Sequence, residues 1–141
     1  MDVHDVAAAR LRVHGQRYTS NRRAIVEAMV ASDRPLTVPQ VLAGDELPQS
    51  SAYRYIGLLE EAGVVRRVVS GDDYARYELA EDLTQHHHHF ICSNCGAIED
   101  FTLPPDLEQA VERALTRAAR RRRFLGSHHQ LDLLGVCSAC A

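Results

Sequence analysis

Apolar positions recur at helical spacing through the first part of the chain, then alternate, then alternate again around one long amphipathic segment. Residues 2–14 predict a first helix, closed by Gly15. Thr19 or Ser20 can cap a second, with Ile25, Ala28 and Met29 on its apolar stripe, and the stretch from Ser32 to Pro35 breaks it. Thr37 can cap a short third helix through Val38, Val41 and Leu42, with Pro39 tolerated in its first turn. Gly44 to Pro48 reads as a turn. A fourth helix runs from about Ser50 to Ala62 and stops at Gly63. Ala52, Ile56 and Leu59 share one face, with Tyr55 beside them. Ser50, Arg54, Gly57 and Glu61 lie opposite, flanked by Ser51 and Tyr53.

The period then changes. Val64–Val69 reads as a strand, Gly71-Asp72-Asp73 as a hairpin turn and Tyr74–Leu79 as the return strand. Helices followed by such a hairpin make a winged helix-turn-helix, in which one helix enters the major groove and the wing touches backbone. Residues 80–85 are short and polar, a hinge. From His86 the pattern predicts a strand to Cys92, a knuckle, and a strand over Ala97–Thr102. A helix follows with Leu107, Val111, Leu115 and Ala118 on one face, ended by the run Arg120–Arg123, and His128–Leu134 reads as a last strand. The expected fold is α+β: a winged helix-turn-helix over residues 1–79, the hinge, and a small α+β dimerisation domain over 86–141 whose open sheet edge suits pairing with a copy of itself.

Charge alters this picture only slightly. The 141 residues carry a net charge of −3, which argues weakly against nucleic acid. Its distribution is uneven: residues 1–70 hold 9 Arg against 8 acids, a balance of +1, and residues 71–141 hold 7 Arg against 11, a balance of −4. Every basic residue is Arg, whose fork suits phosphate and guanine, though genome composition gives the same bias. No apolar run approaches a membrane span of roughly 18 to 20 residues, and the start lacks a signal-peptide core, so a soluble cytoplasmic protein is expected.

The chemistry is concentrated in two places. Cys92-x-x-Cys95 and Cys137-x-x-Cys140 offer four thiolates, the set a tetrahedral structural zinc needs. A thioredoxin-type dithiol would sit where a strand meets a helix, whereas Asn94-Cys95-Gly96 lies in a knuckle between strands. Directly before the first pair stand His86, His87, His88 and His89. Because strand side chains alternate, His86 and His88 point one way and His87 and His89 the other, so each pair can serve a separate ion. Glu78, Glu81, Asp100 and Glu108 are candidate carboxylates, with His129 as a further imidazole. Arg66-Arg67 and the outer face of the fourth helix are the nucleic-acid signal.

Several stretches resemble the ferric-uptake regulator family of metal-responsive bacterial repressors. They are His86–Gly96 followed by Ile98-Glu99-Asp100-Phe101, the closing Gly135–Cys140, Arg17-Tyr18-Thr19-Ser20-Asn21-Arg22, Ser51-Ala52-Tyr53-Arg54 and Ala62-Gly63-Val64-Val65. The resemblance implies a structural zinc on Cys92, Cys95, Cys137 and Cys140, and a regulatory divalent metal on Glu78, His87 and His89. It implies an additional site at His86, His88, Glu108 and His129, and DNA contacts from Arg17, Thr19, Arg22, Ser51, Tyr53 and Arg54. Many members add a sensor histidine from the first domain, where this chain has Asp33-Arg34-Pro35-Leu36. Zinc-type members often carry an acid early in the wing, where Arg66 stands here. The histidine run leans toward Zn2+ as the regulatory ion, yet imidazole–carboxylate sites also accept Fe2+ or Mn2+.

The expectation is a homodimeric, metal-dependent repressor that binds a near-palindromic operator in double-stranded DNA to control metal-ion homeostasis. The iron-, manganese- and peroxide-responsive variants of the family are alternatives, and so is a zinc-stabilised interaction module without DNA affinity. A metalloenzyme is disfavoured: the chain has no His-Glu-x-x-His and no nucleophile with a partnered base.

Overall fold

The computed structural model describes residues 2–43, 47–70 and 72–141. The expected turn at Gly44–Pro48 therefore lies partly outside the described residues, as does Gly71 of the expected hairpin turn.

Four helices come first: α1 (Val3–Val13), α2 (Ser20–Val30), α3 (Val38–Val41) and α4 (Gln49–Glu61). Their starts follow from side-chain chemistry. Asp2 accepts from the His4 amide to cap α1, Thr19 accepts from the Arg22 amide to cap α2, and Thr37 and Gln40 form a reciprocal capping box on α3. Gly15 and Gly63 end α1 and α4 with positive φ, a conformation that glycine adopts without a Cβ clash. Leu11, Ile25, Val26, Ile56 and Leu59 are fully buried where these helices meet. Buried His4 ties α1 to α2, its ring nitrogens bonded to the Tyr18 hydroxyl and the Glu27 carboxylate.

β1 (Val65–Val68) and β2 (Arg76–Leu79) form the wing as an antiparallel pair, and Leu36 adds a bridge on the other side of β2 at Tyr77. All four residues of β2 are buried, and strand alternation explains why. Tyr77 and Leu79 join the helical core, while Arg76 and Glu78 lie on the other face, Arg76 bonded to Asp72 of the wing turn and Glu78 to histidines of the second half.

Between the halves, Glu81–Leu83 makes one 3-10 turn. The second unit contains β3 (His88–Cys92), β4 (Ile98–Phe101), α5 (Pro105–Arg121) and β5 (Asp132–Gly135), with sheet order β4-β3-β5. β3 pairs antiparallel with β4 and parallel with β5, and α5 lies in the crossover that a parallel pair requires. Pairing starts at His88 rather than His86, because β4 ends opposite it at Phe101. His86 and His87 therefore precede the strand and keep their facing through side-chain contacts. β5 likewise begins at Asp132, which leaves His128 and His129 in the loop before it.

The apolar face of α5 is not covered within this chain. Leu107 and Leu115 are exposed on it, as are Leu133 and Leu134 on β5.

Leu59 is wholly buried at the centre of the first core. Leu59→Ala is expected to destabilise the first unit by about 2 to 5 kcal/mol. Urea unfolding followed by helical circular dichroism measures it, and a loss under 1 kcal/mol would place Leu59 at a more yielding edge of the core.

Candidate metal centres

Among the described residues three groups of ligand-type side chains converge, each with its donor atoms within 4.8 Å of one another. The first is Cys92, Cys95, Cys137 and Cys140. Cys92 ends β3 and Cys95 sits in the turn after it, while the tight turn after β5 brings in Cys137 and Cys140. Parallel pairing of β3 with β5, down to Cys92 opposite Gly135, lays the two knuckles side by side. The Cys95 and Cys137 sulfurs are 3.7 Å apart. Four thiolates about 2.3 Å from a tetrahedral ion are separated by about 3.8 Å, so the geometry is compatible with a structural metal. Amide groups of Cys95 and Cys137 point at the Cys92 sulfur and pull its thiol down to about 6, toward the thiolate a metal takes. Gly96 completes this knuckle with φ +78°, and a Cβ there would collide with the Asp72 carboxylate of the wing turn. Arg76 holds Asp72 in that place with bonds of 2.8 and 2.9 Å.

The second group is Glu78, His87, His89 and Asp100. Nε2 of His87 and Nε2 of His89 lie 3.0 and 3.2 Å from the same Glu78 oxygen, Oε2. Asp100 brings Oδ1 to 3.8 and 3.4 Å from the same two nitrogens. The other Glu78 oxygen is gripped by Arg66 at 2.6 and 2.8 Å. Behind the imidazoles, Nδ1 of His87 donates to the Gln85 carbonyl at 2.8 Å and Nδ1 of His89 lies 3.6 Å from Asp132. Both rings thus present Nε2 inward, the orientation a ligating histidine takes when an oxygen holds its other nitrogen. Asp100 Oδ1 is buried with no hydrogen-bond partner, as a donor awaiting a cation would be. The residues fit a divalent ion held by two imidazoles and two carboxylates.

Burial pushes the Glu78 carboxyl up, but bonds from His89 and His87, with the Arg66 charge, hold it down at about 2. Burial pulls His87 down, yet the Gln85 carbonyl and Glu78 keep it above its ordinary value. Asp100 is raised, first by burial.

In the third group Nε2 of His86, His88 and His129 all converge on Glu108, at 3.0, 2.8 and 2.9 Å. Nδ1 of His129 meets Glu112 at 3.0 Å, and Nδ1 of His86 is bonded to Glu81. The alternation expected of the four histidines is therefore the geometry present: His87 and His89 on one side, His86 and His88 on the other.

The nucleic-acid candidates lie apart from these centres. Tyr53 and Arg54 are exposed on α4, with Ser51 partly covered. Tyr55 lies between the guanidinium groups of Arg22 and Arg54, 5.1 and 5.2 Å from its ring centre. Arg17 is exposed, whereas Thr19 spends its hydroxyl on the α2 cap and Arg22 bonds the Arg17 carbonyl at 2.6 Å.

The sequence named Asp100 and Glu81 as candidate carboxylates without a site and Arg66 as part of the nucleic-acid signal, whereas Arg66 grips Glu78 here, and Glu112 behind the third group was not singled out at all. Isolated carboxylates and one arginine carry no local pattern, and only the fold brings them in.

The sequence pattern of the ferric uptake regulator family matches residues 13–134. The chain belongs to that family. It is 30% identical over 148 residues to the peroxide operon regulator of Bacillus subtilis (strain 168), covering 100% of this chain and 97% of that one. It is 32% identical over 137 residues to the ferric uptake regulation protein of Campylobacter jejuni, covering 92% and 83%. A zinc-bound manganese uptake regulator superposes with a TM-score of 0.67 at 28% identity, over 97% of this chain and 99% of that one. The Helicobacter pylori ferric uptake regulator shares the fold with a TM-score of 0.74 at 22% identity, over 97% and 93%. The chain is thus a metal-responsive transcriptional regulator of a family whose members are DNA-binding and not enzymes.

Two expected outcomes follow from these centres. About one zinc per chain should survive dialysis against a weak chelator, and Cys92→Ser or Cys137→Ser should lose it together with the fold of the second unit, since structural zinc contributes about 10 to 16 kcal/mol of apparent binding energy. A serine variant that keeps full zinc by atomic absorption would remove the assignment. The second concerns protons. The Glu78 pKa is depressed from 4.5 to about 2, so its share of the metal-free contact is present above 4.5 and lost as pH falls toward 2. The His87 pKa is raised above 6.5, so its share is full below 6.5 and lost as pH rises through the raised value. The metal-free contact is therefore tightest between those two pH values. A cation needs the neutral imidazole, so its affinity at this centre should rise with pH above 6.5. Calorimetric titration in buffers of different ionisation heat checks this; binding without proton release would contradict it.

Proposed function

We propose that this regulator is a homodimeric repressor in which a divalent cation at Glu78, His87, His89 and Asp100 sets the orientation of the winged unit and thereby operator affinity. One observation carries the reading: the Glu78 carboxylate comes from β2 of the wing, while both imidazoles that meet it come from the second unit, at 3.0 and 3.2 Å. A cation on those donors joins the two units directly. It performs no reaction. It favours one relative orientation, and so one spacing of two reading helices on a near-palindromic duplex. Zinc on the four cysteines fixes the second unit, and the His86, His88, Glu108 and His129 set is an additional site.

Exposed apolar side chains on α5 and on both faces of β5, Leu107 and Leu115 on the helix and Leu133 and Leu134 on the strand, support a second copy packed against this region. Tyr53 and Arg54, exposed on α4, are the residues aimed at the groove, with Arg17 and Ser51 beside them. Thr19 and Arg22 act by fixing the start of α2. No helix among the described residues is long and apolar enough to cross a membrane, and a cytoplasmic site of action fits a DNA-binding role.

The cation itself is chosen by donors without sulfur. Two imidazoles and two carboxylates suit Fe2+ and Mn2+ as well as Zn2+, so the structure adds nothing to the sequence's lean toward zinc. Relatives named for peroxide and for ferric uptake match at similar identity, which keeps both responses among the readings.

The test uses a duplex enriched from a randomised pool by the metal-loaded chain. His87→Ala with His89→Ala should abolish metal-dependent binding while leaving the dimer and the cysteine-bound zinc intact. Coupling energies of this kind are about 1 to 3 kcal/mol, or roughly 5- to 150-fold in affinity. Titrations with Zn2+, Fe2+ and Mn2+ then rank the cations. If His88→Ala abolishes the response and the double variant keeps it, the two histidine faces have exchanged roles.

A further inference from the structure

We propose that Glu81 is a positioning residue for the His86, His88, Glu108 and His129 centre, and that the turn it stands on carries that centre's metal state to the reading helix through Asp82 and Arg10. The relay deepens the repressor reading and rests on it.

The first half of the argument is the orientation of imidazoles. All three rings of this centre direct Nε2 at Glu108, so Nε2 is the ligating nitrogen and Nδ1 must hold the proton. Nδ1 of His129 is held by Glu112 and Nδ1 of His86 by Glu81, while Nδ1 of His88 is buried without a partner. A carboxylate behind a ligating imidazole fixes its tautomer and raises its basicity. Glu112 stands one helical turn from Glu108 on α5, so it belongs to the centre's own frame. Glu81 does not. It opens the 3-10 turn Glu81–Leu83 between the two units, three positions beyond Glu78. When a cation fixes His86, it fixes the turn as well.

The second half is what else the turn holds. Asp82, the next residue, receives the Arg10 guanidinium on both carboxylate oxygens. The same Arg10 donates from Nη1 to the Gly63 carbonyl at 2.7 Å. Gly63 directly follows Ala62, the C-cap of α4. Arg10 itself lies on α1, which packs on α4. A continuous set of bonds therefore joins His86 to the C-terminal end of the reading helix, by a route that does not pass through Glu78. The Arg10–Asp82 pair is solvent-facing, so the coupling belongs at the low end of the allosteric range, about fivefold.

The experiment has two arms. In the His87→Ala, His89→Ala background, Zn2+ titrated against a competing chelator reads the additional centre above the cysteine-bound zinc. Glu81→Ala should weaken it by about 10- to 100-fold, and Glu81→Gln, which keeps an acceptor for Nδ1–H but no charge, should fall between. Unchanged affinity in both variants overturns the positioning role. In the otherwise unsubstituted chain, saturated with Zn2+, His129→Ala and Arg10→Ala are combined and binding to the enriched duplex is measured. Each alone should weaken binding by about fivefold, and the pair by no more than either alone. Losses that multiply overturn the relay while the repressor reading stands. Should the unsubstituted chain show no metal-dependent duplex binding, the repressor reading fails and the relay falls with it, and the chelator arm alone decides Glu81.

Discussion

Glu78 is a buried carboxylate that belongs to one unit of the chain and finds its partners in another. Left unpaired it would carry a large desolvation cost, so the wing and the second sheet can meet closely only if something compensates its charge. Arg66 supplies one answer within the wing, on Oε1, and His87 and His89 supply another from across the gap, on Oε2. His87 donates from both ring nitrogens, to the Gln85 carbonyl and to Glu78, so it is held above its ordinary value while Glu78 sits near 2. Glu78, His87 and His89 would hold a divalent ion in place of the protons, together with Asp100, whose Oδ1 has no hydrogen bond of its own. On the proposed reading, proton and metal compete for one set of donors, and that competition would couple metal concentration to the relation between the units.

Strand alternation underlies both sides of this contact. On β2 it divides Tyr77 and Leu79, which complete the helical core, from Arg76, which braces Asp72 in the wing turn, and Glu78, which meets the second unit. Around β3 it divides the histidines into two pairs. This much was legible in the sequence, because a period of two needs only neighbouring residues to read. The cysteines were legible for a related reason, since each pair is local and only their meeting requires the fold. Asp100 and Glu81 could be named that way only as candidate carboxylates, Arg66 only as part of a nucleic-acid signal, and Glu112 not at all. Each is one charged residue among 35 in the chain, and its role depends on pairing between β3 and β4, on the wing's register and on the path of α5. Element ends were also partly hidden. His86 has strand-like neighbours but no residue opposite it, since β4 stops at Phe101.

Sequence differences at the gap acquire meaning from the same geometry. Asp33 and Arg34 line the recess that opens onto His87 and Asp100. Here Asp100 supplies a second oxygen to the centre instead of a third nitrogen. Arg66 opposes the charge of the two carboxylates and restricts Glu78 to one available oxygen. Two imidazole nitrogens and two carboxylates, with no sulfur, would suit borderline ions and give thiophilic ones no advantage. The selectivity of this chain therefore has to come from charge and geometry rather than from sulfur.

A cation can select between orientations only if few orientations are open to begin with. The structure limits them at two further points that involve no exchangeable ion. Asp72, braced by Arg76 and Ser70, rests against Gly96 in the cysteine knuckle, a contact that any side chain at Gly96 would block. Arg10 bonds Asp82 in the linking turn and Gly63 past the reading helix. One contact sits at the tip of the wing and the other at its base, with Glu78 between them along the hairpin. The two outer contacts both favour the present tilt of the wing, the Arg10–Asp82 one weakly because it is solvent-facing. The metal centre then needs to supply only the difference between neighbouring tilts, which is within reach of a coupling of a few kcal/mol. Had the units been joined by the flexible link alone, the same cation would have had to offset the entropy of the whole linkage, and its effect on DNA affinity would be correspondingly smaller.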